Sequence, residues 1–133
     1  MTSEENKRLM QQVFGELAQG NSQALVEVLA DDVAWHVTGT TKFSGTYQGK
    51  ATLINELVGP LFSQLAGPFR MIPDRFIAED DYVVVECCGN VTTKTGLPYN
   101  NKYCLVCRLE DGKIKELTEY MDTNLVVTTF ESL

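Results

Sequence analysis

The chain has 133 residues, 44% hydrophobic and 22% charged, which suits one domain with its own core and excludes disorder. Eleven Lys and Arg against 18 Asp and Glu leave a formal charge of −7 without a basic run, so nucleic acid and anionic membrane are poor partners. The opening MTSEENKRLM has no apolar leader core and no stretch approaches the roughly 20 apolar residues of a membrane span, so the expected location is the cytoplasm.

Thr2 and Glu5 have capping-box spacing, and Leu9, Met10, Val13, Phe14 and Leu17 recur at helical spacing. A first helix is predicted, ending at Gly20. Asn21 or Ser22 then caps a shorter helix carrying Leu25, Val28 and Leu29, which Asp31-Asp32 stops. Over residues 33–37 the period changes to two, with Val33, Trp35 and Val37 on one face and Ala34, His36 and Thr38 on the other. Residues 39–49 read as a loop or short hairpin rich in Thr and Gly. A third helix follows with Leu53, Ile54, Leu57, Val58, Leu61, Phe62 and Leu65 on one stripe, and Pro60 should kink it or split it after Val58. From residue 69 the pattern is β. Runs at 69–78, 82–93, 99–109 and 114–127 are separated by turn residues, among them Asp111-Gly112, which favours a tight hairpin with both residues at positive φ. Strands this close in sequence should pair antiparallel. The order predicts a single α+β domain over 1–133, with helices on one face of a curved antiparallel sheet.

Cys87, Cys88, Cys104 and Cys107 all lie in β-rich surroundings. Strand residues three apart face opposite sides, so Cys104 and Cys107 cannot converge on a metal or a redox disulfide. Buried, inert thiols are expected, with Cys87 also a candidate ligand contact. His36 is the only histidine and cannot build a metal site alone. No dinucleotide fingerprint, phosphate loop or Ser-His-Asp order is present, and neither metal nor cofactor is expected.

The stretch DDVAWHVTGTTKFSGTYQGK resembles the acid-pair, Trp, Gly and Tyr-x-Gly region of SnoaL-like proteins, and YNNKYCLVCRLEDGKIKELTEYMDT resembles their Y-x-N-x-Y strand, D-G-K-I hairpin and final E-Y-x-D-T strand. These proteins belong to the nuclear transport factor 2-like superfamily, with ketosteroid isomerase, limonene epoxide hydrolase and scytalone dehydratase. The resemblance covers almost the whole chain. It implies a cone-shaped α+β fold, a curved sheet wrapped on the N-terminal helices around a deep pocket, and a homodimer paired through the sheets. The isomerase's general-base position falls on Val37, and the epoxide hydrolase's Arg-Asp pair is replaced by Glu86-Cys87-Cys88-Gly89. Fold alone does not give function in this superfamily.

Glu119 shares a strand face with Leu117 and Met121, an apolar setting that would raise its pKa and suit it to acid or base work. Asn101 and Tyr103 share a face with Tyr99 and could polarise a carbonyl without burying a charge. Glu119, Asn101 and Tyr103 are therefore the candidate catalytic residues. Trp35, Tyr47, Phe62, Met71, Cys87, Tyr99 and Asp122 are the candidate ligand contacts. The function expected is binding of a small, mostly apolar, oxygen-bearing molecule. The alternative is a cofactor-independent isomerase, dehydratase or hydrolase using Glu119 as acid/base.

Overall fold

A computed structural model describes residues 1–131. The first helix, α1 (Ser3–Leu17), opens on the expected capping box: the Glu5 N–H donates to Thr2 Oγ1 at 3.1 Å and the Thr2 N–H to Glu5 Oε1 at 2.9 Å. Its Met10, Val13, Phe14 and Leu17 are buried against the sheet, with the Phe14 ring edge-on to Phe76. The second helix, α2 (Gln23–Val28), is shorter than its apolar pattern suggests, because Leu29 already belongs to strand β1 (Leu29–Val37). Asp31 and Asp32 stop no helix. They are consecutive exposed residues at an irregularity inside β1, where Lys115 Nζ grips both Asp32 carboxylate oxygens at 2.7 and 2.8 Å.

The Thr/Gly-rich segment forms a hairpin, with β2 (Gly45–Gln48) antiparallel to β1. The third helix is divided as Pro60 requires. Between α3 (Lys50–Leu53) and α4 (Gly59–Phe62), residues Ile54–Val58 form a π turn, and the Gly59 N–H reaches back five residues to the Ile54 carbonyl. Proline lacks an amide hydrogen and crowds the carbonyl four residues earlier, so a widened turn absorbs the misfit.

Strands β3 (Arg70–Glu79), β4 (Tyr82–Asn90), β5 (Lys102–Glu110) and β6 (Lys113–Met121) form the antiparallel meander. Asp111 and Gly112 turn at φ 50° and 75°, as an Asp-Gly hairpin demands. The full order is β2-β1-β6-β5-β4-β3. Its one parallel pair, β1 beside β6, joins segments far apart in sequence. Alternation puts Val33, Trp35, Val37, Val83, Val85, Leu105 and Leu117 on the concave, buried face. On the convex face the register aligns Ile77, Val84, Val106, Thr118, His36 and Thr46 in one row across all six strands.

Residues 114–127 are not one β run. The strand ends at Met121, and Thr123–Phe130 forms a further helix, α5. Its β-branched sequence is a poor intrinsic helix former, but Asp122 caps it by accepting the Leu125 N–H at 3.2 Å. Burial of Val126 and Phe130 then outweighs propensity, with the Phe130 ring edge-on to Phe43 and Tyr99. Among the described residues no helix is long and apolar enough to cross a membrane.

Candidate functional site

Between the concave sheet face and the helices lies a cavity of about 130 Å³. Phe14 and Leu17 of α1 contribute to one side, Leu57, Val58, Leu61 and Phe62 of the divided helix to another, and Val126 of α5 closes a third. The sheet supplies Trp35, Val37, Leu105 and Met121. Phe69, a wall residue, has its ring over Gly89, where an added Cβ would stand 2.8 Å from the ring edge; any larger residue there would force the ring out of this position.

Glu119 is the one carboxylate in this wall among the described residues. Its position depends on the parallel pairing, which sets Val37 beside Glu119 and Trp35 beside Leu117. The Trp35 Nε1–H then donates to Glu119 Oε1 at 2.9 Å. Glu119 Oε2 receives no hydrogen bond from the described residues. Burial pushes the carboxyl up to about 7, against the opposing pull of the Trp35 bond. A carboxyl with one oxygen fixed, the other open and a pKa near neutrality can both take and give a proton.

Tyr99 and Tyr103 also line the cavity. Tyr103 OH donates to Tyr99 OH at 3.1 Å, and Asn101 Nδ2 donates to the same oxygen at 3.2 Å. Burial raises the pKa of both phenols, that of Tyr103 most strongly. The alternation expected at Tyr99, Asn101 and Tyr103 is present, although β5 itself starts only at Lys102.

Four candidate residues stand outside the cavity wall. Asn101 is buried, and its amide is engaged at both ends: Nδ2 also donates to the Asp122 carbonyl at 3.0 Å, and Oδ1 accepts the Asp122 N–H at 3.1 Å. It holds the start of β5 to the entry of α5 and presents no free group to a ligand. The Asp122 carboxylate caps α5. Tyr47 flanks Trp35 across the β1–β2 pair, and its hydroxyl donates to the Phe43 carbonyl at 2.7 Å. Cys87 is buried beside Tyr103 in the β4–β5 ladder, and burial pushes its thiol up to about 12; such a thiol stays protonated and inert. By contrast, Trp35, Phe62, Met71, Tyr99, Tyr103 and Glu119 all reach the wall.

His36 faces the convex side, with Nδ1 2.8 Å from Thr46 Oγ1. Among the described residues no three His, Cys, Asp or Glu side chains gather as metal ligands. Phe43 and Val126 are among the wall residues that the sequence reading did not single out. Phe43 lies in the segment read as a loop or short hairpin, and Val126 in a run read as strand; the Val126/Phe130 spacing of four after an Asp cap is the available helical signal.

Residues 10–117 match the family model for the SnoaL-like domain. An NTF2-like protein of unknown function from Burkholderia pseudomallei superposes with a TM-score of 0.81 at 21% identity, over 99% of this chain and 100% of that one. A protein with cystatin-like fold from Xanthomonas campestris gives 0.77 at 23%, over 95% of each chain. TerC, co-crystallised with polyporic acid, gives 0.78 at 24%, over 96% of this chain and 98% of its own. At these identities the likeness is one of fold. No curated protein matches the chain.

Proposed function

This chain belongs to the SnoaL-like domain family, and from that premise we propose that its cavity binds a small, mostly apolar molecule bearing an oxygen function. The observation carrying this reading is an apolar cavity whose wall holds one carboxylate, fixed by Trp35 at one oxygen and open at the other. Burying that much apolar wall around a void forfeits packing contacts that side chains of another shape would supply, a cost a ligand would recover. That a relative of the same fold was crystallised with polyporic acid supports the same reading.

The second reading is a cofactor-independent isomerase, dehydratase or hydrolase in which Glu119 moves a proton. The open Oε2 and the carboxyl pKa of about 7 favour it. One experiment addresses both. Trp35 is the only tryptophan and touches the carboxylate, so ketones and alcohols of about one ring, the size that a cavity of about 130 Å³ admits, should quench or shift its emission saturably. In deuterium oxide, a bound ketone that exchanges its α-protons with the native protein, but not with Glu119→Gln, establishes the enzyme. A panel that leaves Trp35 emission unchanged refutes both readings.

We also propose that two copies pair through the convex sheet face. Support comes from the cross-strand row of Ile77, Val84, Val106 and Thr118, with Tyr82 and Tyr120 exposed nearby. The ion pairs Arg75–Glu86 at 3.1 Å and Arg108–Glu116 at 3.5 Å lie alongside, an apolar strip with a polar rim as interfaces have. Light scattering at micromolar concentration should give twice the 14.8 kDa chain mass, and Val106→Glu should halve it. A native protein that scatters as a monomer removes the claim.

A further inference from the structure

The phenol at Tyr99 has an unequal hydrogen-bond count. A tyrosine hydroxyl offers one hydrogen and two lone pairs. Both lone pairs of Tyr99 are engaged, one by the Tyr103 hydroxyl at 3.1 Å and one by the Asn101 amide at 3.2 Å. Its own hydrogen meets no acceptor among the described residues. Tyr99 is 3% exposed and lines the cavity, so water outside the protein cannot satisfy that hydrogen. A buried donor without a partner is costly, and the open volume beside it is the cavity.

We propose that the Tyr99 hydroxyl is the donor that recognises the ligand, and that the ligand is a neutral compound of about one ring carrying a carbonyl or equivalent acceptor oxygen. This rests on the cavity being the ligand site. Size follows from the cavity of about 130 Å³, close to the roughly 150 Å³ void that accommodates benzene in another protein. Neutrality follows from the wall: a ligand anion would lie near the Glu119 carboxylate, and a second buried charge of the same sign is strongly disfavoured. The acceptor oxygen follows from the lone hydrogen of Tyr99.

Asn101 and Tyr103 act through Tyr99 as positioning residues. Their two donors draw electron density from the Tyr99 oxygen and leave its hydrogen more acidic, since linked hydrogen bonds polarise one another. Both donors offset part of the rise that burial imposes on the Tyr99 pKa. Asn101 is itself anchored on the Asp122 backbone, so the Tyr99 ring is held from the entry of α5. The arrangement separates two tasks in one cavity: Tyr99 holds an oxygen, and Glu119 faces the remainder of the ligand.

The test uses acetophenone labelled with carbon-13 at the carbonyl, read by infrared difference spectroscopy on the full chain at pH 8.5, where Glu119 is ionised and cannot donate. Bound to the native protein, the carbonyl band should fall to lower wavenumber than the same ketone shows in hexane. Glu119→Gln should keep that displacement. Tyr99→Phe should abolish it and weaken binding roughly two- to tenfold. Tyr103→Phe should keep binding while moving the band part of the way back, a readout that a purely structural role would leave unchanged. If Tyr99→Phe fails to fold, the native band and its partial return in Tyr103→Phe still decide the matter. Saturable binding with a carbonyl band at its hexane position overturns the Tyr99 assignment and leaves the ligand site standing. No binding of acetophenone, propiophenone or cyclohexanone overturns the assignment together with the cavity reading on which it rests.

Discussion

Asn101→Ala should destabilise the protein by about 2–4 kcal/mol, the largest effect expected of any single polar substitution near the cavity. The amide is buried, accepts the Asp122 N–H and donates to the Asp122 carbonyl and the Tyr99 oxygen. Truncation leaves those partners unsatisfied, at about 1–3 kcal/mol for a buried group, and adds a small void. Because the amide joins β5 to the start of α5, the loss should also loosen the helix that brings Val126 to the cavity wall. Asn101→Asp should be damaging too, since it replaces the donor facing the Asp122 carbonyl with an acceptor. Urea unfolding at pH 7 checks this through the midpoint, with the slope unchanged; a loss below about 1 kcal/mol would show that the amide is dispensable.

Glu119→Gln should become progressively more stable than the native protein as pH rises. The folded carboxyl titrates at about 7 against 4.5 for an unperturbed one, so the native state holds its proton more tightly than the unfolded chain does. The native carboxyl therefore costs nothing while it is protonated in both states, below about 4.5. The cost grows as pH passes from the unfolded value towards the folded one, and is complete above about 7. With the carboxylate open to the cavity at one oxygen, about 2–3 kcal/mol is the expected size, or roughly 5–10 °C in Tm. Glutamine retains an oxygen to accept the Trp35 N–H. Thermal unfolding of both proteins from pH 4 to 8.5 should give curves that coincide at the acid end and diverge through this window. Parallel curves would mean that Glu119 is not desolvated, and a native protein stabilised relative to Glu119→Gln at pH 8 would mean that its anion is held by favourable bonds.

Much of this molecule is legible in short stretches of chain. The capping box at Thr2 and Glu5, the Asp111-Gly112 turn and the break before Pro60 each follow from the geometry of a few adjacent residues. Period-two alternation likewise placed Trp35 with Val33 and Val37, Glu119 with Leu117 and Met121, and Tyr99 with Asn101 and Tyr103. Those groupings are set by the backbone pleat and need no knowledge of the partner strand. What lies between such groups was decided by tertiary structure. Trp35 meets Glu119 only because β1 pairs parallel with β6, and a contact across 84 residues has no local signature. Residues 123–127, rich in β-branched side chains, read as strand, yet burial of Val126 and Phe130 makes residues 123–130 helical. Asn101 was correctly placed on an inward face, but its role turned on Asp122 arriving opposite both ends of the amide. The same convergence gives Tyr99 two donors and, among the described residues, no acceptor for its own hydrogen. Periodicity specifies which way a side chain points; only the packed fold specifies which atoms it meets, because hydrogen bonds depend on distances between segments that the order of residues does not encode locally.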